Sequence, residues 1–359
     1  MKRIKKAVLS LSLAIAFFVA LSVCASAEGV DGYINEFSAV LPDGFSGELT
    51  DTESLTSAVG LESLVDFVMT ELSGKRSELS SFCILLLGAC AIGAAVNALS
   101  DRLSDTCRKG LSIVFLAVIF SQVYPLFSSV SESLGEANAF FSAAAPIMCS
   151  LELAGGGAGS AAVHTAGMTL TVAFVSAISS RLLPSVAVFG FVAGLLRTFG
   201  GSDAVATGAK NIYTRIIGIA TLLISITLSL QTVIASAADS AVMRAARYGA
   251  STAIPIVGGT VSAALSALSG GVAYAKDIIG GAAIGAILYI FISPLALLFL
   301  YRLATSCAVF VSELLGVKEL ACLGAFSSLL DSLIASYALS AVLYVLEIVL
   351  FMKCGVGVV

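Results

Sequence analysis

The side chains able to do chemistry in this chain are few, and most sit inside apolar runs. Glu152, His164, Arg197, Asp331 and Glu347 are each flanked by aliphatic or aromatic stretches. An ionisable group at membrane depth is costly, so it is expected to face a cavity or a partner. For Glu347, between Tyr344-Val345-Leu346 and Ile348-Val349-Leu350, the alternatives are snorkelling to an interface and facing a pore or a neighbouring subunit. His164 is the only histidine, and bonding to a nearby carbonyl is favoured over ligand binding. A second polar group, Asp239, Arg244 and Arg247, lies among alanines ahead of Pro255 and the pair Gly258–Gly259. The two arginines are three apart, so a helix puts both on one face, as a solvated strip or a docking surface. Pro255 with Gly258 and Gly259 is expected to break a helix, leaving carbonyls that protein or water must satisfy.

Reaction signatures are incomplete. Gly44-Phe45-Ser46-Gly47 matches the GxSG string of a rhomboid nucleophile, but it precedes any apolar span and cannot reach a bond held in a bilayer. Asp239 and Asp331 supply the residue type for aspartyl intramembrane proteolysis without its GxGD or YD settings. The run Gly155-Gly156-Gly157-Ala158-Gly159 lacks the GKS/T ending of a phosphate loop, so no ATPase is expected. The eight cysteines form no CxxC and read as small apolar residues. No catalytic residue, cofactor or metal is expected, and the chain reads as a non-enzyme.

The elements that must hold these residues are helices in lipid. Of 359 residues 58% are hydrophobic and 12% are charged, against about 25% charged in a soluble domain. Residues 28–79 carry eleven acidic and two basic side chains, whereas residues 80–359 are nearly balanced. Nothing is basic enough for nucleic acid.

In chain order, Met1–Ala27 reads as a cleavable signal peptide: Lys2, Arg3, Lys5 and Lys6, an apolar run, then Ala25-Ser26-Ala27. An uncleaved first helix is the alternative. Residues 28–79 form a short exported acidic segment with one amphipathic stripe at Leu61, Leu64, Val65, Val68 and Leu72, and a stop at Ser73–Gly74. The stripe is expected to pack on the membrane domain, on a copy of itself or on a partner. Residues 80–359 form the polytopic membrane domain, an all-α helix bundle. Six spans stand out: 80–99, 111–130, 161–180, 216–235, 278–301 and 325–352.

Between 111–130 and 161–180, Glu132 and Glu136 are expected in an exterior loop, and Ala139–Leu153, interrupted by Pro146, as a re-entrant or interfacial segment. Leu182–Phe199, with Pro184, is a second doubtful piece, and Ala250–Ala275 a third. The positive-inside rule puts Arg102, Arg108 and Lys109 inside. It leaves open whether Ala250–Ala275 crosses, since exchanging Arg302 and Lys318 for Lys276 and Lys353 keeps nine of thirteen cations inside. Gly190-x-x-x-Gly194 and Gly281-x-x-x-Gly285 permit close helix approach, with intramolecular packing favoured over a homo-oligomer.

The stretch Ile212–Gly259, with SLQ, the ASAAD entry to the charged helix, and IPIVGG, resembles stage III sporulation protein AE of endospore-forming bacteria. The resemblance extends more loosely along the rest of the chain. It implies a multi-pass protein of the mother-cell membrane around the forespore. It further implies membership of a sporulation channel or secretion-like complex with ring-forming subunits and an ATPase, supporting late forespore gene expression. A self-sufficient secondary transporter is the alternative.

Overall fold

The computed structural model describes residues 32–42, 61–98, 105–155, 157–199, 208, 211–227, 229–230, 233, 258–317, 320 and 322–353. The expected signal peptide, the GxSG string and Asp239, Arg244, Arg247 and Pro255 lie outside the described residues.

Every described element is helical. They are α1 (32–38), α2 (Leu61–Gly74), α3 (Arg76–Ala98), α4 (Asp105–Ala154), α5 (Ala158–Ala177), a π-helical turn (Ile178–Leu182), α6 (Leu183–Thr198), α7 (Asn211–Thr227), α8 (Gly258–Leu314) and α9 (Cys322–Lys353). Five stretches among the described residues are long and apolar enough to cross a bilayer: Arg76–Ala98, Thr106–Ala154, Ala158–Thr198, Gly270–Leu314 and Cys322–Lys353. Of the sixth expected span, 216–235, the described part is the shorter apolar helix α7.

The largest correction concerns α4. Glu132 and Glu136 do not lie in a loop, and Ala139–Leu153 is not re-entrant; all belong to one 50-residue helix. The reason is a core-facing stripe that never loses phase. Leu116, Ile119, Val123, Phe127, Val130, Leu134, Ala137, Phe141, Ala144, Met148 and Leu151 are all buried, spaced three or four apart as one helix face requires. Glu132 and Glu136 point outward from this stripe, as does Pro146, so none interrupts it.

Two further segments merge in the same way. The expected span 161–180 runs through the π turn into α6, where the amide of Leu183 reaches back to the carbonyl of Ile178. That widened turn sits directly ahead of Pro184. In the other case, 260–275 and 278–301 join in the 57-residue α8, which carries Lys276 within it. Gly258 and Gly259 are its first two residues.

The packing is two antiparallel hairpins laid together. Helix α4 pairs with α5 through Cys149–Thr165 and Ser131–Ser179, then with α6 through Phe120–Phe191. Helices α8 and α9 pair through Lys276–Phe351, Tyr337–Ile290 and Arg302–Asp331. Gly190 and Gly194 lie against Leu329 and Leu116, so that glycine pair serves packing within the chain. Helix α3 runs alongside the second half of α8, from Phe82–Tyr301 to Asn97, whose amide donates to the Gly316 carbonyl at 3.0 Å.

Helix α2 ends at Gly74, as expected, and packs on α8. Of the expected stripe, Leu72 packs against the core and Val68 is half-buried while Val65 is exposed, and Phe67, outside the stripe, stacks on Tyr289 at 4.0 Å. Nearby, Pro294 lacks the amide that would bond to the Ile290 carbonyl one turn back. The Ser133 hydroxyl lies 3.1 Å and the Tyr337 hydroxyl 3.4 Å from that carbonyl, and the two are 2.5 Å apart. One donates to the carbonyl and the other to its neighbour, so side chains from α4 and α9 replace the missing donor.

The continuity of α4 is measurable. Ile113 and Leu153 are both exposed and stand forty residues apart in one helix. Spin labels at these positions on a cysteine-free background should lie about 60 Å apart. A chain that turned at 132–136 would bring them within roughly 20 Å.

Candidate functional site

The polar residues singled out within apolar runs do not scatter through the bundle. Glu152 and His164 meet Lys276 among α4, α5 and α8, and Glu347 lies buried on α9 one turn before Phe351, whose ring and carbonyl face Lys276. Glu152 ends the core-facing stripe of α4, one turn after Met148. His164 lies on the buried face of α5 between Ala161 and Met168. Lys276 continues the row of Val272, Ile279 and Ala283 on α8, which turns its stem inward. Glu347 follows Ser340 and Tyr344 on the inner face of α9.

Two close approaches let the helices meet around the ammonium. A Cβ on Gly155 would stand 2.9 Å from Val272, one turn before Lys276. A Cβ on Gly280 would collide with the Cγ of Met352, one turn after it. A hydrogen at each position brings both the α4–α5 turn and the end of α9 onto α8.

Glu152 is the hub. Its Oε1 accepts from the Lys276 ammonium at 2.9 Å and lies 2.6 Å from His164 Nδ1. Because a carboxylate accepts only, Nδ1 carries the imidazole proton in that bond. Lys276 also donates to the Phe351 carbonyl at 3.4 Å and sits 4.9 Å above the centre of the Phe351 ring. Cation–π attraction of that kind gains strength when the ion is desolvated. On these residues three buried polar atoms have no hydrogen-bond partner: Glu152 Oε2, His164 Nε2 and Glu347 Oε2.

Two expectations change here. Glu347 does not snorkel, for it is 1% exposed. His164 bonds to a carboxylate, not to a carbonyl. The residue missed in the sequence is Lys276. Its signal was its place in the α8 row, hidden because Lys276-Asp277 falls between two apolar stretches; only Asp277 is exposed.

The arrangement offers charge and hydrogen-bonding capacity without a nucleophile. The Cys149 thiol lies beside the cluster but contacts the Thr165 hydroxyl at 3.0 Å, and His164 Nε2 has no thiol or hydroxyl on it. Among the described residues no group of three or more His, Cys, Asp and Glu side chains is arranged to hold a metal ion.

The other singled-out residues lie apart. Asp331 is gripped by Arg302, Nε to Oδ1 at 2.6 Å and Nη2 to Oδ2 at 3.4 Å, while Arg302 also donates to Ser306. Arg197 lies across Gly324 at the start of α9. Gly258 and Gly259 open α8, at the opposite end of the first α8 turns from the cluster.

Lys276 balances a carboxylate that has left water. Lys276→Met should therefore destabilise the protein by about 3–5 kcal/mol, the cost of leaving one partner of a buried pair uncompensated. Glu152→Gln combined with Lys276→Met should recover most of that loss. Unfolding of the three proteins in detergent, followed by circular dichroism, measures both.

Comparison with curated proteins and with solved structures returned no match. A family model does match, and it covers most of the bundle described above. That model is stage III sporulation protein AE, aligned over residues 45–355, and the chain belongs to this family of sporulation membrane proteins.

Proposed function

We propose that the protein is a membrane subunit of the channel or secretion-like complex that joins mother cell and forespore. In this reading it sits in the mother-cell membrane around the forespore with its N-terminal segment exported. It assembles there with other membrane and ring-forming subunits and an ATPase, and late forespore gene expression and spore formation require it. The observation that carries the reading is the family match across residues 45–355. The helical architecture supports it, since the five apolar membrane-length helices among the described residues suit a platform or conduit component.

A second reading is a self-sufficient secondary transporter. The observation that favours it is the ion cluster of Glu152, His164, Lys276 and Glu347 inside the bundle, because buried ionisable groups often mark ion pathways.

Affinity purification of the tagged protein from sporulating cells in mild detergent separates the two. Co-purification with the ring-forming subunits and the ATPase is the expected result. Recovery of the protein alone, or its absence from sporulating cells, overturns the complex-subunit reading. Solute uptake by the protein reconstituted alone in liposomes would establish the transporter instead.

A further inference from the structure

The cluster's charges do not cancel as they stand. Glu152, His164, Lys276 and Glu347 are 1%, 3%, 2% and 1% exposed. The groups facing them from each helix are few. Helix α4 brings Cys149, held against Thr165, and α5 brings no other titratable group near His164. On α8 Asp277 faces outward, and on α9 Tyr344 donates to Asn138 while Lys353 is exposed at the end. Lys276 therefore offsets one of two buried carboxylates. With both carboxylates ionised and the imidazole neutral, the interior would hold one uncompensated negative charge. Groups in that position neutralise by taking up a proton.

The receiving atoms are identifiable. His164 Nδ1 spends its proton on Glu152, which leaves Nε2 as a bare lone pair, buried and without a donor. Glu347 Oε2 is likewise buried and without a partner. Either atom accepts a proton and restores neutrality. A multidentate metal ion would restore it too, but the described residues present no ligand set for one.

We propose that Glu152, His164, Lys276 and Glu347 form a binding site for one exchangeable proton, carried by Glu347 or His164 beside the fixed Glu152–Lys276 pair. Loading moves a proton from water onto Glu347 Oε2 or His164 Nε2; unloading returns it to water, and no electron moves. Because α4, α5, α8 and α9 each contribute one side chain, the proton sets the charge at the junction of both hairpins. This inference goes beyond the subunit reading and does not depend on it.

The single histidine makes the test clean. Full-length protein with isotope-labelled histidine, carrying a histidine-free tag, is placed in nanodiscs and titrated from about pH 5 to 9, the range in which an imidazole changes charge. NMR reports the imidazole state, and infrared spectra of the same samples report the carbonyl stretch of an un-ionised carboxyl. The expected wild-type result is one protonated group at neutral pH, either imidazolium or un-ionised carboxyl, lost in a single one-proton step as pH rises. In Glu347→Gln the step disappears and His164 stays neutral. Two ionised carboxylates with neutral imidazole across the whole range would overturn the proposal. So would a wild-type spectrum that does not change with pH, or a step that survives Glu347→Gln unaltered. The wild-type titration decides by itself if that variant does not fold. No partner protein is needed, so failure here leaves the complex reading intact, and solitary recovery from cells leaves the proton site intact.

Discussion

Inside an apolar bundle, every polar group must find its partner within the chain, because water is not there to supply one. That constraint explains the two most unusual local arrangements. Where Pro294 removes an amide, Ser133 and Tyr337 from two other helices converge on the Ile290 carbonyl. Where Glu152 loses water, Lys276 and His164 converge on one carboxylate oxygen. In each case the partners come from separate hairpins, so satisfying the polar group also fixes how the hairpins sit against each other. The two sites share α4, α8 and α9, and they set the register of those helices at two heights.

The length of the helices gives this registration its importance. A 50-residue α4 is about 75 Å long, whereas one crossing of a hydrocarbon core takes about twenty residues. Much of α4 and of the 57-residue α8 therefore extends past a single core. Long rods joined by apolar contacts alone slide easily, since one aliphatic side chain replaces another at each step of a helical turn. Directional bonds at Ser133 and at Glu152 forbid such a slip. Close packing of Gly155 on Val272 and Gly280 on Met352 reinforces it beside the ammonium.

The helical class and the apolar stretches were legible in the sequence because both depend on local composition. Glu152, His164 and Glu347 were also legible as residues of interest, since an isolated charge in an apolar run is conspicuous. What stayed hidden was continuity. Glu132, Glu136 and Pro146 look like a loop and a break when read one by one. The stripe from Leu116 to Leu151 passes them in phase because all three face outward. Pairing was hidden for a different reason: Lys276 lies 124 residues from Glu152, and no local pattern joins them. Separation along the chain likewise concealed the grip of Arg302 on Asp331 and the stacking of Phe67 on Tyr289. Lys276 entered the sequence reading only as a cation to be counted, although its place in the row of Val272 and Ile279 marks the inner face.

The composition of the cluster itself argues against a purely structural purpose. Where a buried ion pair only holds helices together, apolar side chains of similar size do the task as well or better. Here the interior contains two carboxyls, an ammonium and an imidazole, and three of their polar atoms have no hydrogen bond. Packing alone does not call for such groups, and each unsatisfied atom costs stability. The neighbouring seam shows what a structural solution looks like in the same protein. Ser133, Tyr337 and Ile290 form a neutral set, as do Tyr344 and Asn138 at 2.5 Å. The charged cluster differs from these in having capacity left over, and unused capacity in a closed interior is what a site that gains and loses a proton requires.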